Sequence, residues 1–145
     1  MKENELRIGN LVKSNNILYR KDEFGKLMSV LGINDKSATV TVIEDCNPIG
    51  YTFGQFFKYL EPIELTEDIL LKCGFTENEN GEPQIDTFEG MALSISIKET
   101  PYKYTVWHVN TTECKYYMFA ECKYLHQVQN LYFAITGNEL SVKKL

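Results

Sequence analysis

The order of apolar and polar residues predicts that the first half of the chain consists of short strands. Turn-forming residues separate four segments rich in β-branched or aromatic residues, which are Leu6–Lys13, Lys26–Ile33, Ser37–Glu44 and Tyr51–Leu60. In the third segment Ala38, Val40 and Val42 recur at every second position, the pattern of a half-buried strand. Asn34–Lys36 is a suitable hairpin connection, and Asn47–Gly50 is predicted to form a turn. These strands predict a small SH3-like barrel, with a strand-and-loop sandwich fragment as the alternative.

A short helix is predicted directly after this β-rich region. Thr66 is a suitable N-cap, and the acidic residues that follow it lie at the positive end of the helix dipole. Leu65 precedes the cap and can pack against Leu70 as a hydrophobic staple. Gly74 suits the left-handed position after the last turn, and Phe75 can then fold back on Leu70. The signals at both ends therefore agree on a helix between Leu65 and Phe75.

The next part of the chain predicts an antiparallel sheet. Residues 76–83 are polar and indicate a loop or hairpin tip. Met91–Lys98 alternates apolar and mostly polar residues, and Gln84–Phe88 is a candidate fourth strand. Lys103–Val109 and Lys115–Glu121 are predicted to form a hairpin, connected by Asn110–Cys114.

The periodicity of the last predicted helix, Lys123–Gly137, indicates a core face and a second surface. The core face comprises Tyr124, Leu125, Val128, Leu131, Tyr132 and Ile135. The opposite stripe comprises His126, Gln129, Asn130 and Phe133. Three interpretations of this stripe stay open: the N-terminal unit or a loop covers Phe133, the stripe binds a protein partner or a second copy of the chain, or Phe133 is an isolated exposed residue. Leu140–Val142 is a candidate tail strand.

Together these elements predict an α+β protein that is mainly β. Residues 1–61 are expected to form the small barrel-like unit, and residues 62–145 an α+β unit with a helix, three or four antiparallel strands and a second helix. A chain of 145 residues is long enough for one ordinary domain or two very small ones.

The N-terminal sequence, the apolar runs and the cysteines indicate the cellular location of the protein. The N-terminus lacks the apolar stretch of a secretory signal, and no apolar run is long enough for a membrane span. Cys46, Cys73, Cys114 and Cys122 include no C-x-x-C pair, which favours free thiols in a reducing compartment. These observations predict a cytoplasmic protein that does not associate with membranes.

The residues with chemical potential form no recognisable catalytic or metal-binding pattern. His108, Cys114, Cys122 and His126 are the candidate zinc ligands, but their spacing matches no known ligand pattern. Cys122 and His126 lie one helical turn apart without an evident third member of a catalytic triad. No phosphate-binding glycine loop, G-x-S-x-G or H-E-x-x-H motif is present. The sequence therefore predicts no catalytic residue, metal or cofactor, and a small enzyme is only the third interpretation.

Nucleic-acid binding is the second interpretation. Aromatic and basic residues alternate on the predicted hairpin, and the candidate contacts are Tyr102, Lys103, Tyr104, Lys115 and Tyr117. The net charge of −5 argues against it, because nucleic-acid binders are usually basic.

Three sequence blocks resemble a family of short uncharacterised bacterial proteins from prophage and mobile-element neighbourhoods. The blocks are Glu5–Val12, Pro62–Phe75 and His126–Leu140, and they occur in matching order. The resemblance implies a shared fold and a phage-related setting, and it carries no functional residue. With the patterns above, it makes a non-catalytic interaction or accessory protein the first interpretation.

Overall fold

The computed structural model of the chain describes residues 5–15, 25–44, 47–97, 104–140 and 142. The chain divides into two compact units, Met1–Ile63 and Glu64–Leu145. The predicted boundary, between residues 61 and 62, lies two residues earlier. Two antiparallel sheets and two α-helices make the protein α+β and mainly β, as predicted.

The N-terminal unit is an antiparallel five-stranded sheet. Its strands are β1 (Leu11–Ser14), β2 (Leu27–Ile33), β3 (Ser37–Glu44), β4 (Asn47–Phe56) and β5 (Leu60–Pro62). A 3₁₀ turn at Phe57–Tyr59 connects β4 to β5, which then pairs with β1. The strand order is β4-β3-β2-β1-β5, so β4 and β5 are the two edges. Within the described residues these two strands do not pair with each other, and the sheet is open rather than a closed barrel.

The core of this unit follows the predicted alternation. Ala38, Val40 and Val42 are buried, and Val12 of β1 and Met28 of β2 belong to the same cluster. Removal of this apolar surface from water is the main favourable term in folding the sheet.

Two details of the N-terminal unit differ from the sequence prediction. The first strand begins at Leu11 rather than Leu6, because Gly9 has a φ of +91° and the side chain of Asn10 accepts a hydrogen bond from the backbone N–H of Arg7. The predicted turn at Asn47–Gly50 is wrong, since these residues begin β4 and Pro48 pairs with Ile43. Proline is tolerated there because β4 is an edge strand.

The C-terminal unit contains the second sheet and both helices. Its strands are β6 (Thr76–Glu77), β7 (Pro83–Phe88), β8 (Met91–Ile97), β9 (Tyr104–Asn110) and β10 (Lys115–Cys122). Helix α1 spans Glu67–Lys72 and α2 spans Leu125–Thr136. The strand order is β10-β9-β8-β7-β6, so β10 and β6 are the edges. None of the helices in the described ranges is long and apolar enough to cross a membrane.

Helix α1 has the predicted ends. The side-chain oxygen of Thr66 accepts a hydrogen bond from the backbone N–H of Ile69 at 3.2 Å. Gly74 has a φ of +91°, and the backbone N–H of Phe75 donates to the carbonyl oxygen of Leu70 at 3.1 Å. Local sequence therefore determines where this helix begins and ends.

Helix α2 also begins and ends close to the prediction. Gln127 accepts hydrogen bonds from the backbone N–H groups of Lys123 and Tyr124, at 2.7 and 3.0 Å. Gly137, with a φ of +71°, ends the helix. The candidate tail strand is not formed at Leu140 or Val142, although Leu140 is buried.

Candidate functional site

The outer strand β10 exposes a run of large apolar side chains. Tyr116, Tyr117, Met118 and Phe119 are each about half exposed, between 49% and 56%. They are consecutive, so their side chains lie on both faces of the sheet. We call these four residues the β10 surface.

The last residue of this surface lies at a β-bulge. His108 of β9 pairs with Tyr117, and Trp107 pairs with Met118, but the register shifts before Ala120. Phe119 is the additional residue, and its ring lies 6.1 Å from the ring of His108. Phe119 therefore lies on the His108 face of the sheet, where alternation along the strand also places Tyr117.

An aromatic row crosses the same face. The ring of Phe88, from β7, lies 5.9 Å from His108 in an edge-to-face arrangement. Phe88 is half exposed, whereas Nε2 of His108 is buried and forms no hydrogen bond within the described residues. The imidazole therefore acts as a packing element between Phe88 and Phe119, and the apolar surface extends inward from the edge of the sheet.

The residues proposed for nucleic-acid contact have different environments. Tyr117 is exposed, and Lys115 forms an exposed ion pair with Glu113 at 2.8 Å. Tyr104 is half-buried, and burial, together with the negative charge of Glu67, raises the pKa of its phenol. Tyr102 and Lys103 lie outside the described residues.

The predicted stripe of α2 changes character along the helix. His126 and Gln129 are buried, with 2% exposure each, and the His126 ring is stacked on that of Tyr124 at 5.8 Å. Asn130 is half-buried, and Phe133 is 36% exposed. The side chain of His126 is therefore buried rather than part of an open surface. His126 is as buried as the apolar core residues, because the buried face of the first turns of α2 is wider than the predicted core face.

The candidate zinc ligands are not assembled into a site. Cys122 is buried, and burial raises the pKa of its thiol to about 11. Its strand partner is Tyr104, four residues along β9 from His108, while Cys114 lies exposed in the hairpin turn. In the part of the chain that the structure describes, no three His, Cys, Asp or Glu side chains are grouped to hold a metal ion.

A shallow cleft lies on the opposite face of the sheet from His108. Its volume is about 380 Å³, and Asn78 and Gln84 line it from one side while Cys114 and Tyr116 line it from the other. Asn78 is held by its own turn, in which its side-chain oxygen accepts from the backbone N–H groups of Asn80 and Glu82. The cleft contains neither histidine.

Met118 and Phe119 are absent from the residues predicted above. The sequence did contain a signal for them, namely four consecutive large apolar residues in a strand. Such a run is typical of a strand covered on both faces, and alternation is expected of a strand with one wet face. The strand order was needed to show that this run lies at an edge.

The fold and the site together define a two-unit, mainly β protein with an exposed apolar edge strand. The chain matches no protein-family profile, no curated protein and no solved structure.

Proposed function

We propose that this protein is a non-catalytic interaction protein that binds a protein partner through the β10 surface. The observation that carries the proposal is the exposure of Tyr116, Tyr117, Met118 and Phe119 at the edge of a sheet. Contiguous exposed apolar residues of this size are typical of interaction sites.

The position of the surface supports strand addition. An edge strand presents backbone N–H and C=O groups on its outer side, and an extended partner segment can pair with them. The main chain supplies affinity in this binding mode, while the side chains on alternating faces supply specificity. Tyr117 and Phe119 on one face, with Tyr116 and Met118 on the other, offer such contacts to the partner.

A binding role is favoured over catalysis by the state of the nucleophile candidate. A cysteine attacks as the thiolate, and the raised pKa of Cys122 keeps its thiol protonated at neutral pH. Cys114 is exposed in the turn before β10, at the opposite end of the strand from Cys122, and its thiol contacts the backbone carbonyl of Thr111. The small-enzyme interpretation accordingly remains the third.

The stripe of α2 is the second proposed protein-binding surface. Phe133 is its most exposed member and Asn130 is half-buried, so a partner would contact the C-terminal part of the helix first. The setting we propose is the cytoplasm of a bacterium, with a phage or mobile-element association, because of the three sequence blocks described above. An SH3-like arrangement of the N-terminal unit is proposed with them, supported by the return of β5 to β1.

Nucleic-acid binding stays the alternative because aromatic side chains and a cation share β10. Tyr117 is exposed for base stacking, and Lys115 is exposed beside it. The ion pair with Glu113 reduces the positive charge that would attract phosphate. Salt-sensitive binding of a labelled single-stranded oligonucleotide would support this alternative, and no retention on immobilised nucleic acid at low salt would exclude it.

Affinity capture from the native host, with the bound proteins identified by mass spectrometry, tests the proposed function. Wild-type protein should retain a defined partner that Phe119→Lys does not retain, since a charge within an apolar contact opposes its burial. Phe133→Ala reports on the α2 stripe, and Leu71→Lys is the control because Leu71 is similarly exposed on α1. Equal capture by wild type and Phe119→Lys would contradict a role for the β10 surface.

A further inference from the structure

The four sheet edges of the described strands are not protected equally. Proteins keep edge strands from pairing by making them short, by placing proline or charged residues in them, or by inserting a β-bulge. In the N-terminal unit, β4 contains Pro48, and β5 has three residues that include Glu61 and Pro62. In the C-terminal unit, β6 has two residues and includes Glu77. Each of these three edges therefore has at least one such device.

Strand β10 also has a β-bulge and a charged residue near each end, but it differs in the length of its apolar centre. It has eight residues, contains no proline, and has no charged residue between Lys115 and Glu121. The bulge at Phe119 introduces no charge, and the Phe119 ring lies beside that of His108. A strand that is apolar on both faces has the composition of an interior strand. Among the described strands, however, none pairs with the outer side of β10.

The charges that flank the apolar run indicate what the neighbour is. Glu113 and Lys115 precede the run, and Glu121 and Lys123 follow it. In the sequence, Met118 lies midway between Glu113 and Lys123, and also midway between Lys115 and Glu121. If two copies of β10 align antiparallel about Met118, Glu113 of one copy lies near Lys123 of the other, and Lys115 lies near Glu121. A parallel alignment would place like charges together.

We propose that β10 pairs antiparallel with β10 of a second copy of this chain, joining two five-stranded sheets into one sheet of ten strands. The contact is isologous, since the same strand serves both copies across a two-fold axis near Met118. Each β10 becomes an interior strand, and the apolar residues on both faces meet their counterparts. This inference rests on the proposed interaction role and names the partner at that surface.

Sedimentation equilibrium over a range of concentrations tests the inference. Wild-type protein should be a dimer, and Met118→Lys should weaken dimerisation by at least about tenfold, because two added charges meet at the axis. Leu71→Lys, a lysine at an exposed position of α1, should dimerise like wild type. Circular dichroism should be the same for both variants, because Met118 is also exposed and its replacement leaves the monomer folded.

A charge exchange tests the antiparallel direction. Lys115→Glu should weaken the dimer because it faces Glu121 of the second copy, and Lys115→Glu combined with Glu121→Lys should restore it. The inference would be overturned if Met118→Lys left the stability of the dimer unchanged. It would also be overturned if the double variant formed a dimer no more stable than that of Lys115→Glu alone.

The two proposals fail in different ways. If wild-type protein is monomeric at every concentration, the second copy is excluded as the partner. The proposed function then still stands if wild-type protein captures a different host protein that Phe119→Lys does not capture. It fails together with the inference if wild type and Phe119→Lys capture the same host proteins. Oligonucleotide binding by the monomer that Tyr117→Ala abolishes would likewise overturn self-pairing and assign the surface to nucleic acid.

Discussion

The ring of Phe119 lies 6.1 Å from that of His108, although Phe119 has no register partner on β9. Alternation along β10 places Phe119 on the same face as Tyr117 and His108, and the bulge leaves Phe119 unpaired there. Phe119 thus gives the outer strand an aromatic side chain that continues the row formed by Phe88 and His108. The aromatic face therefore extends from β7 to the edge of the sheet.

The role of His108 as a packing element leads to a first prediction. His108→Leu should leave the free energy of unfolding unchanged or raise it by up to about 1 kcal/mol, because a buried nitrogen without a hydrogen bond is removed. His108→Ala should lower it by about 1–2 kcal/mol, because the neighbouring rings lose a contact. Urea unfolding followed by the fluorescence of Trp107, the single tryptophan, measures both. A leucine variant less stable than the alanine variant would contradict this role.

The cap of α2 gives a second prediction. Gln127→Ala should destabilise the C-terminal unit by about 1 kcal/mol, because the backbone N–H groups of Lys123 and Tyr124 lose their acceptor. Gln127→Glu keeps an acceptor and adds negative charge at the positive end of the helix dipole, so it should retain wild-type stability. Thermal unfolding of the three proteins provides the comparison. Equal losses in both variants would show that the side chain stabilises the helix by packing rather than by capping.

Burial of Cys122 gives a third prediction, about alkaline pH. Its pKa rises from an ordinary 9.0 to about 11 in the folded protein, so the unfolded chain loses this proton first as pH increases. The stabilising contribution is complete below pH 9 and decreases by up to about 1.4 kcal/mol per pH unit until pH 11. Cys122→Ala should remove this part of the pH dependence. Denaturant midpoints of both proteins between pH 8 and about pH 11 give the two slopes, and identical slopes would refute the assignment.

The short-range parts of the fold could be predicted because their determinants are close together in the chain. Thr66 caps a helix that begins one residue later, and Gly74 ends it by adopting a positive φ. The alternation through Ala38, Val40 and Val42 likewise identified the buried face of β3. In each case the residue type and its near neighbours restrict the local backbone conformation.

The structure decides two features that local pattern misjudged or left open. Asn47–Gly50 has turn composition, yet pairing with the end of β3 makes it the start of a strand. The sequence left open whether the stripe of α2 is covered, and the structure buries His126 as deeply as the core. Strand pairing and packing outweigh local preference at both positions.

The candidate site also combines features that the sequence contains with features that only the tertiary structure decides. The sequence contained the apolar run Tyr116–Phe119 and the charges around it, on which the proposals for β10 are based. Only the tertiary structure decided that β10 is an edge strand, and that Phe119 is the bulged residue beside His108. Exposure depends on strand order and register, which long-range hydrogen bonds establish, whereas composition and local turns are properties of short segments of the chain.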